Sequence, residues 1–280
     1  MLILKCIFVS DLHGNTKKIQ KLFEMIKKEK PDSAFIGGDI LPNYLTKNIE
    51  EFVETNLLSE IRKIKNKTTI FLILGNDDPR IFEDLFIKAD EEKIINYMHN
   101  KTVRFNDFFV TGYSFVPPTP FNLKDWEKYD VSRYVDVGAV SPEEGLRTVN
   151  VSDDIKRYST IAEDMDILSK NSPPEKTIFL FHSPPYKSYL DLADLEGKKV
   201  DHAPLDVHVG SITIERFIKK KKPFVTLHGH VHESPRLSGR WMQKFGSTYS
   251  FSAAHDGEEL ALIRFDTNDL ESSTRELIKI

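Results

Sequence analysis

The apolar positions of this chain alternate between two rhythms from its first residues onward. Ile3 to Val9 is a near-continuous apolar run, the pattern of a strand covered on both faces. Ile19, Leu22, Phe23 and Ile26 then recur at the helical i, i+3, i+4, i+7 spacing, with Asn15 or Thr16 as the N-cap and Pro31 beyond the end. Ala34-Phe35-Ile36 predicts a short strand that runs into Gly37-Gly38-Asp39. Ile49, Phe52, Val53, Leu57 and Ile61 mark a second helix, and residues 69–74 a third strand ending in Gly75-Asn76-Asp77-Asp78. This βαβαβ order predicts a parallel sheet with helical crossovers.

Farther along, residues 101–116 alternate around Asn106-Asp107, a hairpin signal. Residues 117–150 carry no periodicity and hold several prolines and Trp126, which predicts a loop excursion. Ser152 is placed to cap a helix bearing Ile155, Tyr158, Ala162, Met165 and Leu168, followed by a strand from Thr177 to Phe181 that ends in His182. After a second long loop over 183–210, Ser211 caps a helix with Ile212, Ile214, Phe217 and Ile218. Phe224 to Leu227 then predicts a strand ending in His228. Thr248–Ser252 and Leu260–Phe265, around Asp256-Gly257, read as antiparallel strands. With no internal repeat, the expectation is a single domain over 1–280 with excursions at 117–150 and 183–210.

Composition narrows the setting. At 40% apolar residues, a 280-residue chain can build a core without a disulfide or a zinc staple. The one cysteine, Cys6, lies inside the first apolar run, which predicts a buried, inert thiol and suits a reducing compartment. A formal charge of −4 argues against a general nucleic-acid binder. No apolar run approaches the roughly 18 residues of a membrane span. The apolar start has neither a basic region before it nor a small-residue cleavage site after it, so a cytoplasmic protein without a membrane partner is expected.

The strand ends carry the chemistry. Asp11 and His13, Asp39, Asn76, His182, and then His228, His230 and His232 all follow or close predicted strands. In open α/β sheets, ligand sites lie beyond the carboxyl ends of the strands. Taken singly, Asp-x-His, Gly-Gly-Asp and Gly-Asn-Asp are ordinary caps and turns, and a lone His182 is an ordinary polar residue. His228-Gly229-His230-Val231-His232 is harder to explain by packing. Together these groups offer oxygen and imidazole nitrogen, a set that suits Mn, Fe, Co, Ni or Zn and disfavours a soft metal. Two such ions can hold a hydroxide between them and clamp a phosphoryl group.

The ordered series Asp11-Leu12-His13, Gly38-Asp39, Gly75-Asn76, His182 and Gly229-His230-Val231-His232 resembles the calcineurin-like metallophosphoesterase superfamily. The resemblance implies an α/β fold, a four-layer α-β-β-α sandwich of two mixed sheets flanked by helices. It also implies two divalent metal ions and a small phosphorylated substrate. Asp11, His13 and His232 would bind one ion; Asn76, His182 and His230 the other; Asp39 would bridge them. His208-Val209-Gly210-Ser211 is similar to a segment of small prokaryotic members.

One position departs from the family pattern. Where the family usually has a histidine after the motif asparagine, this chain has Asp77. An ordinary aspartate is ionised at neutral pH and cannot protonate a leaving group. Either Asp77 is protonated by its surroundings, or it orients a ligand, or another group such as His208 or His228 supplies the proton. Asp77, His208 and His228 are therefore the candidate catalytic residues. The missing histidine favours a phosphodiester or pyrophosphate-type substrate, attacked by a metal-bound hydroxide. The alternative is a non-catalytic metal-binding scaffold of the same fold, used for protein–protein interaction.

Arg236 and Arg240 are candidate substrate-binding residues, against a plain surface placement. Lys219–Lys222 reads as a solvated helix end. Tyr113, Phe115, Phe121 and Trp126 could wall a pocket, though packing on the sheet edge is the simpler reading; His99, His202 and His255 are assigned no role.

Overall fold

The computed structural model describes residues 3–45, 47–64 and 66–280. In chain order its strands are β1 (Lys5–Val9), β2 (Ser33–Gly37), β3 (Thr69–Ile73), β4 (Asn96–Tyr97), β5 (Lys101–Phe105), β6 (Phe108–Tyr113) and β7 (Thr177–Phe181). There follow β8 (Lys199–Val200), β9 (Ala203–Pro204), β10 (Val225–His228), β11 (Met242–Phe245), β12 (Thr248–Ser252), β13 (Leu260–Asp266) and β14 (Asp269–Ile278). The helices are α1 (Thr16–Glu29), α2 (Ile49–Phe52), α3 (Ser59–Ile64), α4 (Glu83–Glu91), α5 (Asp153–Tyr158), α6 (Ile161–Leu168), α7 (Ile212–Lys221) and α8 (Ser234–Ser238).

Two six-stranded mixed sheets result, in the orders β14-β13-β1-β2-β3-β4 and β11-β12-β10-β7-β6-β5. In the first, β1 to β4 run parallel and β13 closes antiparallel on β1. In the second, β6, β7, β10 and β12 run parallel, with β5 and β11 antiparallel at the edges. Strand alternation then separates two apolar layers. Cys6, Phe8, Phe35 and Phe71 of the first sheet meet Phe108, Val110, Leu180, Leu227 and Phe251 of the second. The intervening residues Ile7, Val9, Ile36 and Leu72 face outward, onto Ile19, Leu22 and Phe23 of α1 and Leu57 and Ile61 of the next helical segment. Phe179 and Phe181 likewise meet Ile214, Phe217 and Ile218 of α7. Cys6 is buried, and burial pushes its thiol up to about 12, which leaves it unreactive. Among the described residues no helix is long and apolar enough to cross a membrane.

The predicted elements appear with instructive differences. Asn15, not Thr16, caps α1, accepting from the N–H groups of Lys17 and Lys18. The helix expected over Ile49–Ile61 contains a π-helical turn at Val53–Leu58. Its core residues Val53, Leu57 and Ile61 repeat every four positions, longer than the 3.6-residue α period, and a wider turn keeps them on one face. The single helix expected after Ser152 is two: Ser159 is extended (φ −71°, ψ 138°), and Thr160 starts α6 with a capping box to Glu163. Ile155 and Tyr158 consequently lie exposed on α5. Thr248–Ser252 and Leu260–Phe265 do not pair with each other. β12 joins the second sheet beside β10 and β13 the first beside β1, so the turn at Asp256-Gly257 crosses the sandwich.

The 117–150 excursion contains no regular helix or strand, yet it is fixed by buried polar groups. Lys124 Nζ donates to the Thr119 carbonyl (2.8 Å) and to Glu127, and Glu127 also accepts from Thr119 N (2.8 Å) and Oγ1 (2.6 Å). Trp126 Nε1 donates to the Asp78 carbonyl at 2.8 Å, which docks the excursion on the loop after β3. Tyr113, Phe115 and Trp126 are buried around His99, whereas Phe121 is exposed; packing on the sheet edge accounts for the buried aromatics.

Phe71 stacks on Phe35 (centroids 5.2 Å, 19°) and meets Phe105 edge-on (5.1 Å) at the centre of the inter-sheet layer. Phe71→Ala is expected to lower unfolding free energy by about 3–5 kcal/mol in urea titration with an unchanged m-value. A loss below about 1 kcal/mol would mean that this layer is not the principal core.

Candidate metal centre

The carboxyl ends of β1, β2, β3, β7 and β10 meet at one end of the sandwich, where four candidate ligands hold left-handed backbone. Asp11 (φ 57°), His13 (φ 43°), Asp39 (φ 52°) and His230 (φ 75°) all sit in this region. For side chains other than glycine, that costs about 1–2 kcal/mol each. The strain is held by cross-loop hydrogen bonds: Asp11 N to Gly38 O (3.0 Å), His13 N to Asp39 O (2.8 Å) and Gly229 N to His182 O (2.9 Å). Side chains add two more, Asp77 N to Asp39 Oδ1 (2.8 Å) and His230 N to Asp11 Oδ1 (3.0 Å). Gly75 is required by proximity, since a Cβ there would lie 2.3 Å from Asp39 Oδ1 and 2.6 Å from His182 Nε2.

These loops converge on Asp39. Asp11, His13, Asp39 and His232 each offer a ligand atom within 4.8 Å of the others. His13 Nε2 and His232 Nε2 are 3.0 Å apart, and His232 Nε2 is 3.4 Å from Asp11 Oδ1. Asp39 Oδ2 lies 4.0 Å from His13 Nε2 and only 3.2 Å from His182 Nε2. His182 Nε2 in turn lies 3.0 Å from Asn76 Oδ1, and the His230 ring centroid is 5.2 Å from that of His182. The structure therefore brings all of Asp11, His13, Asp39, Asn76, His182, His230 and His232 to one place, with the Asp39 carboxylate facing both halves.

The donor set fits a divalent cation. Asp11 Oδ2 is buried with no hydrogen-bond partner among the described residues, an arrangement that a cation satisfies. His182 Nδ1 donates to the Gly37 carbonyl at 2.7 Å, which directs Nε2 into the cluster, as an outer contact does for a metal-bound imidazole; loss of the Nε2 proton would free that nitrogen as a ligand. Charge is compensated internally. Burial opposes protonation of His182 and His232, but Asp39 raises the first and Asp11 the second well above the usual histidine range. Burial would raise the Asp11 and Asp39 carboxyls, yet these imidazoles hold both well below the carboxylate range. His230 is pushed down, first by burial and then by the His182 charge.

The remaining candidates separate. Asp77 borders the cluster: its Oδ1 accepts from Asn76 Nδ2 (3.0 Å) and its Oδ2 is 3.7 Å from His13 Nδ1. A carboxylate accepting the Asn76 amide N–H leaves Asn76 Oδ1 turned toward His182. Burial and the Asp39 charge raise Asp77, to about 6, which still leaves it mostly ionised at neutral pH. His228 closes β10 and is fully buried, with Nδ1 2.8 Å from the Ser183 carbonyl and Nε2 2.8 Å from Thr226 Oγ1. Both ring nitrogens are engaged, and burial lowers it to about 4, so this residue belongs to the core. Arg236 pairs with Asp256 at 2.7 Å and Arg240 lies over the Tyr189 ring at 4.4 Å; neither contact is with the cluster. His208 bonds Asp191 at 2.9 Å in the 183–210 loop.

Two supporting residues escaped the sequence reading. Asp78 is fully buried and accepts from the N–H groups of Ile40, Leu41 and Gly75, tying the loop after β2 to the loop after β3. Its one visible signal is the second aspartate of Gly75-Asn76-Asp77-Asp78. Asp191 has no motif around it at all.

A sequence model of the calcineurin-like phosphoesterase family matches residues 4–234. No curated protein matches the chain significantly. Among solved structures, the protein TT1561 of Thermus thermophilus is similar at a TM-score of 0.60 and 13% identity, covering 99% of this chain and 100% of that one. A dimetal phosphatase from Danio rerio is similar at a TM-score of 0.56 and 8% identity, covering 99% of each. At these identities the likeness is one of fold.

Protonated His182 and His232 must lose their protons to become ligands, so metal uptake is coupled to proton release. Apparent Mn²⁺ affinity should therefore rise between about pH 6 and pH 8, by up to tenfold per unit for each proton displaced. Calorimetry in buffers of different ionisation enthalpy reads this directly; pH-independent binding without proton release would contradict the cluster's charge balance.

Proposed function

The chain belongs to the calcineurin-like phosphoesterase family and is a metal-dependent phosphoesterase; from that premise we propose that it cleaves a phosphodiester or pyrophosphate-type bond. Two divalent ions would be held by Asp11, His13 and His232 on one side and Asn76, His182 and His230 on the other, with Asp39 between. Such ions, when bound, supply an activated water and withdraw charge from phosphorus-bound oxygens. The chain's own part is to fix the imidazoles and carboxylates in one geometry.

The observation that carries the substrate class is Asp77. Its carboxylate is half-exposed beside His13 and mostly ionised. A second negative charge at this place repels a dianionic monoester more than a monoanionic diester. It also accepts hydrogen bonds rather than donating them, so it holds Asn76 in place without protonating a leaving group.

The Mn²⁺-loaded protein is therefore expected to show a higher kcat/KM on bis-p-nitrophenyl phosphate than on p-nitrophenyl phosphate. Asp77→Asn should improve the monoester by about tenfold, the worth of one nearby charge, and leave the diester nearly unchanged. A monoester preference in the parent protein would overturn the substrate class. His230→Ala should remove most turnover of either ester; turnover retained in full would reject the cluster as the reaction centre.

A further inference from the structure

The loop between β7 and α7 holds a second constellation of titratable side chains. Asp191 is fully buried there and accepts from the backbone N–H groups of Lys187 (2.9 Å), Ser188 (2.9 Å) and Gly210 (3.2 Å), and from His208 Nδ1 (2.9 Å). Backbone bonds from Ala193 to Val207 and from Val209 to Asp191 close the loop around this carboxylate. Burial pushes Asp191 up, and its hydrogen-bond donors oppose that push. The result is a long segment, regular only in the short β8–β9 pair, that closes around one imidazole. With Nδ1 committed to Asp191, Nε2 is the free nitrogen, without a partner among the described residues, on a side chain 24% exposed. The other groups around the ring are Asp206, whose Oδ1 accepts from His208 N (2.9 Å), Tyr186, edge-on at 6.0 Å, and Lys187 over the Tyr186 ring.

This loop is fastened beside the metal centre. It leaves β7 directly after His182, and Ser211 N returns to the Pro184 carbonyl at 2.8 Å. Leu192 pairs across from His208, and the Leu192 N–H is held by Ser234 Oγ (3.0 Å). The Asp194 N–H is held by Glu233 Oε1 (3.0 Å). Glu233 and Ser234 follow His232 immediately, so the imidazole is anchored to segments continuous with two proposed metal ligands.

We infer that His208 is the acid that protonates the departing oxygen, and that Asp191 is its positioning residue. The inference rests on the phosphoesterase reading above and fills the role for which Asp77 and His228 are unsuited. In the step, the oxygen of a water forms a bond to phosphorus while the bond from phosphorus to the leaving oxygen breaks. The electron pair of that broken bond goes to the leaving oxygen, which takes the proton from Nε2 of the His208 imidazolium. The proton lost by the attacking water passes to solvent, and the neutral imidazole regains one from solvent. Asp191 keeps Nδ1–H in place throughout, so that Nε2 faces the leaving group in the required tautomer.

Leaving-group chemistry tests this. A p-nitrophenolate departs without a proton, whereas a phenolate needs one, and each can be presented on a methyl diester and on a monoester. With Mn²⁺, His208→Ala is expected to lower kcat on the phenyl ester of the preferred class by about a hundredfold or more and on its p-nitrophenyl ester by no more than about threefold. Asp191→Asn should give the same selectivity more mildly. In the metal-free protein, NMR should also show the His208 Nδ1–H resonance, held downfield by its hydrogen bond to Asp191, move upfield in this variant, with Mn²⁺ stoichiometry unchanged. Equal loss on both leaving groups, or none, would overturn the acid role; an unmoved Nδ1–H resonance would overturn the positioning role. If the parent protein cleaved none of the four esters with Mn²⁺, the phosphoesterase reading itself would fail, and the inference with it.

Discussion

Two carboxylates, Asp11 and Asp39, are buried where the two sheets meet, at 4% and 2% exposure, and the rest of the site follows from compensating them. An ionised carboxylate in a protein interior costs several kcal/mol unless it is paired and hydrogen-bonded. Both carboxylates stand at the end of first-sheet strands, whereas His182 and His232, which compensate them, come from the second sheet. The charge balance therefore ties the sheets together at this end, alongside the apolar layer that joins them elsewhere. Left-handed backbone at Asp11, His13, Asp39 and His230, and a Gly75 with no room for a methyl group, are the local conditions that let so many polar side chains converge. The structural strain and the capacity to bind a cation have the same origin.

Much of this was legible in the sequence because it is written at strand ends. The parallel βαβαβ start, the Asn106-Asp107 hairpin, the caps at Ser152 and Ser211, and the positions of the seven polar groups all depend on local period and turn chemistry. What the sequence hid depends on distant partners. The chain's crossing between sheets at Asp256-Gly257 looks locally like a hairpin, because both flanking strands are apolar and the turn residues are the same. The break before Thr160 lies within an apolar spacing that would serve one helix as well as two. Asp191 matters through three backbone N–H groups, the Ser188 hydroxyl and one imidazole that the loop gathers around it, and no spacing rule encodes that.

His228 and His230 show how finely placement separates structure from chemistry. Two residues apart in one motif, they have different fates because His228 still belongs to the β10 ladder while His230 has left it. In the ladder, the ring stacks on Phe181 and saturates both nitrogens with Ser183 and Thr226. Beyond it, left-handed backbone turns the next histidine toward His182 and the Asp39 side of the cluster. A histidine-rich motif is thus part core and part site, and only the strand boundary tells which.

In the proposed function, this seam of carboxylates and imidazoles takes divalent cations with Asp39 between them. Anomalous diffraction from crystals of the protein grown with Mn²⁺ would locate them. Two strong peaks are expected, one on the Asp11, His13 and His232 side of Asp39 and one on the Asn76, His182 and His230 side. Peaks elsewhere in the molecule, or none at this seam at saturating Mn²⁺, would contradict this placement.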